Sequence, residues 1–376
     1  LSTSSLRTAR GFACLGLALL AGCGGPVKPE PETLSPEQAR ALIDRLLPAR
    51  IPDRNGWVTD IHAAFTAIDI TTTAEHVCAV AAVAEQESGF ESNPAIPGLP
   101  AIAMKEIDQR AEHAGIPALV VHAALHLPSP SGRSYSERIE AARTERDLSD
   151  IFEDLVGVVP LGRMFLADRN PIRTAGPMQV SVSYAEAYAD THAYPYPVGR
   201  SLRREVFTRR GSVYFGVAHL LDYAAAYDQP LYRFADYNAG QYASRNAAFQ
   251  HALSLASGIP LADDGELVRL GGGDPPTSTE LAARVLRQRI DLSEADIHDD
   301  LQHSRRADFE QTELYEKVYA LAERSQAHPL PRAQVPRIEL KSPKITRHLT
   351  TAWYASRVDG RFQGCMQRAR ANGAMP

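Results

Sequence analysis

An all-α fold is predicted by three features of the sequence. Apolar residues recur at helical spacing through most of the chain, helix-start signals precede many of those runs, and alternation of period two is scarce. The best strand-like stretch, "RIELK" at 337–341, is short, and no fixed-period repeat is present. With 376 residues, 44% hydrophobic and 23% charged, the chain has an ordinary globular composition and room for one large or two modest domains. A formal net charge of −5 gives no global attraction for nucleic acid, so no nucleic-acid partner is expected.

Arg7 and Arg10 precede "GFACLGLALLAGC", an apolar run too short to span a bilayer, so residues 1–22 are expected to be a secretory signal. Leu20-Ala21-Gly22-Cys23 resembles the bacterial lipobox, in which signal cleavage exposes a cysteine that is then acylated. Gly24 stands where aspartate would mark inner-membrane retention, which implies a lipid anchor in the bacterial outer membrane. Residues 23–34 carry Gly and Pro and are expected to be a lipidated tether. Cys14 lies in the signal and Cys23 takes the lipid, leaving Cys78 and Cys365 in an oxidising compartment. A disulfide between these two is expected over two separate buried thiols, and no cysteine–histidine spacing suggests zinc.

A single helical domain is expected over 35–376. Ser35-Pro36-Glu37-Gln38 supplies an N-cap, a proline at the first helical position and a capping-box glutamine. Thr72 and Glu75 offer a second box before "HVCAVAAVAEQES", which is apolar on all sides and therefore expected to be buried. Residues 95–170 read as short helices broken by Pro and Gly. Further helices are expected at 203–227, 246–258, 278–290, 292–302 and 307–325, with an extended, Pro-interrupted stretch near 328–343.

The chemistry is concentrated in "AEQESGFESNP", residues 84–94. A helix turns about 100° per residue, so Glu85 and Glu87 point nearly opposite ways. Glu87 projects on the side of Val80 and Val83, against apolar surface that favours a neutral carboxyl and hence a general acid.

Three short motifs occur in order: "ESGF" at 87–90, "GPMQVS" at 176–181 and "YNAG" at 237–240. Together they resemble the soluble-type lytic transglycosylases and goose-type lysozymes. The resemblance implies a lysozyme-like helical core over about 72–94 and 171–255, with a helical insertion at 95–170 and a C-terminal helical extension at 256–376. It implies peptidoglycan glycan strands as the binding partner and substrate, and Glu87 as the catalytic acid. Ser88 would position substrate, Met178 and Gln179 would line the cleft, and Tyr237 and Asn238 would hold Glu87 and the sugar. The whole chain, lipobox included, is also similar to the YaiW-type outer-membrane lipoproteins, a family with no assigned activity.

Three departures from the motif pattern matter. The 95–170 segment stands where a short loop is usual, and would cover the cleft as a lid or fill it. Pro177 replaces a leucine and lacks an N–H that substrate or a neighbouring loop could use. Asp236 replaces an alanine and is expected to be solvated; the sharper alternative is a second carboxylate that activates water.

Lytic transglycosylation needs one carboxyl. It protonates the leaving oxygen of a MurNAc–GlcNAc β-1,4 bond, then takes the proton from the muramyl 6-hydroxyl and leaves a 1,6-anhydro ring. Hydrolysis normally needs two carboxylates at a set separation.

No cofactor and no metal are implied. His122 and His126 in "HAALH" lack the glutamate of a zinc-protease helix, and "GGGDPP" at 271–276 lacks the residues of a phosphate cradle. Arg200, Arg203, Arg204, Arg209 and Arg210 are expected to form a solvated helix face, with contact to acidic stem peptides or anionic lipid as the alternative. The expected function is that of a lipid-anchored murein lytic transglycosylase. Its rivals are a lipoprotein of the same fold that binds glycan or peptide without cleaving, and a hydrolytic muramidase.

Overall fold

The computed structural model describes residues 34–158, 170–269, 275–340 and 347–373. The signal segment, Cys23 and nearly all of the tether lie outside the described residues, as do 159–169 of the insertion, most of "GGGDPP" and the end of the 328–343 stretch.

Helix α1 (Pro36–Leu46) opens on a reciprocal box: the Ser35 hydroxyl accepts from the Gln38 N–H, and the Gln38 side chain accepts from the Ser35 N–H at 2.8 Å. Helix α2 (Arg54–Ile68) follows. Helix α3 (Ala74–Ser88) is capped by Thr73 rather than Thr72, the Thr73 hydroxyl accepting from the His76 N–H at 3.1 Å.

The insertion forms α4 (Leu99–His113), α5 (Ala118–Leu125), α6 (Tyr135–Ala141) and α7 (Glu145–Val158), which bury a small core of their own around Leu99, Tyr135, Ile139 and Ile151. A two-stranded antiparallel hairpin, β1 (Thr174–Ala175) and β2 (Val180–Ser181), leads into α8 (Val182–Ala189). The helix expected over 203–227 divides into α9 (Leu202–Val206) and α10 (Arg209–Leu221). Thr208 caps the second by accepting from the Gly211 N–H, so the chain turns there and does not continue.

Helices α11 (Pro230–Ala239) and α12 (Ala243–Ser257) come next, then α13 (Ser278–Val285) and α14 (Arg287–Ile290), which divide the helix expected at 278–290. They are followed by α15 (Glu294–Gln302) and α16 (Glu313–Gln326), a second short hairpin, β3 (Glu339–Leu340) and β4 (Leu349–Thr350), and α17 (Thr351–Ala371). The described residues are thus mostly helical.

Helix α3 is the axis of the principal core. Val77, Val80 and Val83 are fully buried, and the helix packs against α1, α10 and α17. Along α17, Tyr354, Ala355, Val358, Phe362, Cys365, Met366 and Ala369 form one buried stripe, and the helix lies between α3 and α11. Cys78 and Cys365 are joined in a disulfide with Cα atoms 5.6 Å apart.

The principal core is therefore wider than the 72–94 and 171–255 expected. It takes in Trp57 and Phe65 of α2 and the whole apolar face of α17. A second core around Phe249, Leu286, Phe309 and Val318 belongs to α12–α16.

The arginine cluster is not a solvated face. Arg204 pairs with Asp150 at 3.1 Å and Glu153 at 3.3 Å, and Arg203 with Glu153, fastening α7 to α9. Arg209 pairs with Asp60 at 2.6 Å and with Asp53, tying α10 to α2, and Arg210 pairs with Glu205 at 2.9 Å. Arg200 alone of the five is exposed. Paired arginines at element junctions are not available to stem peptides or lipid.

The disulfide closes a sequence separation of 287 residues. On the loop-entropy account a bridge of that span contributes at most about 5.7 kcal/mol, by restricting the unfolded chain. We expect neither cysteine to react with a thiol probe in the denatured, unreduced domain, and the Cys78→Ala/Cys365→Ala variant to unfold at clearly lower denaturant. Full labelling of both thiols in exported protein would contradict the bridge.

Candidate functional site

Helix α3 ends at Gly89, whose φ of +60° and N–H bond to the Glu85 carbonyl form a left-handed cap. Phe90 follows at φ +69° and is held in place by Trp57, whose Nε1 donates to the Phe90 carbonyl at 3.2 Å while the two rings meet edge-on. Glu87 is thereby delivered to the mouth of a cleft of about 860 Å³. Glu85 points the other way, toward Arg361 of α17 at 3.6 Å. The two carboxylates are thus separated as the helix geometry requires.

The 174–181 hairpin builds one wall. Gly176 (φ +72°), Pro177, Met178 and Gln179 form the turn, closed by the Gln179 N–H on the Gly176 carbonyl at 3.0 Å. A Cβ on Gly176 would lie 2.4 Å from the Val206 carbonyl oxygen, so both its conformation and its space demand glycine. Pro177 occupies the second position of the turn, where fixed φ suits the backbone and no N–H is needed. Gln179 itself sits at φ +50°, an uncommon conformation for a residue with a side chain. Its amide lines the cleft and is held by three neighbours: Oε1 accepts from the Thr174 hydroxyl at 2.9 Å, and Nε2 donates to Glu145 of α7 at 3.0 Å and to the Gly176 carbonyl at 3.3 Å. Through that bond and the Arg203 and Arg204 ion pairs, the insertion stands beside the cleft. None of its described residues lines it.

Met178 does not line the cleft either. It is fully buried, its sulfur packed against Gly216, and its backbone N–H donates to Ser212 at 2.9 Å. Ser88 is likewise absent from the lining; its hydroxyl donates to the Ala84 carbonyl at 3.2 Å.

The end of α11 forms the next wall, with Tyr237, Asn238 and Gly240. The Tyr237 hydroxyl donates to the Met178 carbonyl at 2.7 Å and so braces the hairpin. Asn238 Oδ1 accepts from the Thr351 hydroxyl at 2.9 Å. Glu87 Oε1 accepts from the Tyr354 hydroxyl at 2.5 Å, a donor supplied by α17.

Asp236 is neither solvated nor in the cleft. It is fully buried and accepts from the Ser244 N–H at 2.6 Å, the Tyr242 N–H at 3.0 Å, and the Tyr227 and Tyr223 hydroxyls at 2.7 and 3.0 Å. Burial holds its pKa above the usual carboxylate value, and these bonds oppose that rise without cancelling it. Its role is to stitch the end of α11 to the start of α12. It cannot activate a water beside Glu87.

Several cleft residues were not singled out from the sequence. His219 lies under Tyr184 and Tyr237, ring centroids 4.5 and 5.0 Å away, with Nε2 facing the Tyr237 carbonyl at 3.3 Å. Burial pushes its pKa down to about 4. Asp264 and Glu266 also line the cleft. Asp264 accepts from Gln250 and from the Glu266 N–H, while the Glu266 side chain is exposed. Arg305 stands at the rim, placed by Arg245 and Asn246, which both donate to the Ser304 carbonyl. Only spatial proximity identifies these residues; no motif spans them.

His122 pairs with Asp108 at 2.8 Å and His126 meets Ser136 at 3.3 Å. Among the described residues no group of three or more histidine, cysteine or acidic side chains is arranged to hold a metal. None of their helices is long and apolar enough to cross a membrane.

A family model described as "Protein of unknown function (DUF1615)" matches residues 50–368. The chain belongs to this family. Over 361 residues it is 47% identical to "Uncharacterized protein YaiW" of Escherichia coli (strain K12), covering 95% of this chain and 98% of that protein. No solved structure matches. The matched span contains the whole cleft, from Glu87 to the Tyr354 that bonds it.

His219 gives the fold a pH dependence of known sign. Its folded pKa of about 4 lies below its ordinary 6.5, so the unfolded chain binds the extra proton. Stability is therefore full above pH 6.5 and lost as pH falls toward 4, by up to about 3 kcal/mol. Denaturation curves from pH 7 to 4 should fall less steeply for His219→Phe than for the wild type. Identical slopes would contradict a buried neutral imidazole.

Proposed function

We propose that this protein is a murein lytic transglycosylase with Glu87 as its single acid/base, anchored to the outer membrane through a lipid on Cys23. The observation that carries the reading is convergence. Glu87, Gln179, Tyr237 and Asn238 come from three separate elements and all face one cleft. The resemblance in "ESGF", "GPMQVS" and "YNAG" supports a lysozyme-like relationship for the core that brings them together. A cleft of this size suits a ligand of several sugar units.

In this reading the neutral Glu87 carboxyl protonates the glycosidic oxygen as the bond to the muramyl C1 breaks. The resulting carboxylate removes the proton of the same sugar's 6-hydroxyl as that oxygen closes on C1. The single-carboxyl route is favoured by the withdrawal of Asp236 into the core. Hydrolysis is the competing outcome, and Asp264 and Glu266 are the carboxylates that share the cleft with Glu87. In this reading the remaining lone pair of Gln179 Oε1 accepts from a glycan hydroxyl or N-acetyl N–H, and the Asn238 NH₂ donates to the glycan.

Glu87→Gln should remove general acid catalysis, a loss of about 10²–10⁴-fold in the rate of sacculus cleavage, and leave the melting curve intact. Glu85→Gln and Glu91→Gln should keep most of the activity. A dead Glu85→Gln beside a normal Glu87→Gln would overturn the assignment. If the wild type and all variants bind murein and none cleaves it, the glycan-binding reading takes over.

A further inference from the structure

We infer that the first turn of α17 positions the site: Tyr354 holds the Glu87 carboxyl, and Thr351 holds the Asn238 amide. The C-terminal helix is then part of the machinery around Glu87, and more than a brace for the fold. The inference rests on the reading of Glu87 as the acid/base, and it adds two residues from a segment outside the three motifs.

Tyr354 and Thr351 are three apart on one helix and so face the same side. Both are buried, Thr351 completely and Tyr354 to 5% exposure. The Tyr354 hydroxyl donates to Glu87 Oε1, and the Thr351 hydroxyl donates to Asn238 Oδ1. With Oδ1 engaged, the Asn238 NH₂ is the end of that amide left to donate into the cleft.

A phenylalanine at 354 would fill much the same space without a polar group to satisfy. The hydroxyl therefore needs a reason, and its partner supplies one. Burial, and then the Glu87 charge, push the Tyr354 phenol well above its usual pKa, so it remains a donor across the working range. A donor to a carboxylate stabilises its charged form and opposes the desolvation that favours the neutral acid. Tyr354 thus sets both the direction in which Glu87 points and the pH at which it gives up its proton.

The hold is stiff at both ends of the helix pair. Glu87 lies nine residues after Cys78, and Tyr354 eleven before Cys365, so the bridge fixes the register of the two antiparallel helices. Bulk rigidity of this kind is what keeps a catalytic group within a narrow range of geometry.

The test is Tyr354→Phe with two readouts. The first is the titration of the Glu87 carboxyl carbon by NMR in protein labelled with ¹³C-glutamate, assigned by difference against Glu87→Gln. Loss of the donor should raise the midpoint by about one to two pH units. An unchanged midpoint in a variant that melts normally would overturn the inference. The second is turnover: kcat should fall with KM little changed, and its alkaline limb should move up by the same interval. A wild type that cleaves no murein would defeat the catalytic reading, while the titration still decides whether Tyr354 controls Glu87. Should Tyr354→Phe fail to fold, the Tyr354 Cζ shift in the wild type serves instead. It must follow the Glu87 titration, and a flat shift would refute the contact.

Discussion

The stop of α3 at Gly89 is the constraint on which the rest of the site depends. The helix is buried over most of its surface because small and branched apolar residues surround it, and such a helix offers no face to solvent until it ends. Its last turn is the one place where a carboxylate on it can be half-buried and still reach a substrate. The left-handed pair Gly89 and Phe90, locked by the Trp57 bond, turns the chain away at once and leaves Glu87 at the opening. Two residues earlier on the same helix, Glu85 faces Arg361 of α17 instead of the cleft.

The other walls are fixed to that end by backbone contacts that tolerate little variation. The hairpin turn approaches α10 so closely that Gly176 and Gly216 admit no side chain. Tyr237 links the end of α11 to the hairpin through the Met178 carbonyl, and Asp236, one residue earlier, closes the loop that follows. Adjacent residues on one helix thus divide the work: Asp236 looks inward to the backbone, while Tyr237 and Asn238 look toward the cleft. A buried carboxylate with four donors stabilises a chain reversal well and is chemically silent.

Much of this was legible in the sequence because it is local. The burial of α3, the opposed directions of Glu85 and Glu87, and the Ser35 cap follow from spacing within a few residues. What spacing could not give is the partner of Glu87. Helix α17, the longest described, lies within the expected C-terminal helical extension, but Gly360 and Gly364 interrupt its apolar pattern and Tyr354 belongs to no motif. The expected bridge between Cys78 and Cys365 held the missing information: two antiparallel helices joined there must bring the residues near 354 opposite 87. The burial of Asp236 is hidden from local spacing for a related reason. Its four partners lie within 13 residues, yet they meet it only after the 222–244 segment has folded back on itself. The arginine cluster shows the same limit, since its acidic partners stand up to 156 residues away.

The account joins an apolar helix end, a brace from the C-terminus and a single acid into one chemical claim. Mass spectrometry of the fragments released from purified sacculi by the soluble domain tests it most directly. Transglycosylation predicts muropeptides lighter by one water than reducing products and resistant to borohydride. Fragments with free reducing ends, in their place, would contradict the single-carboxyl mechanism.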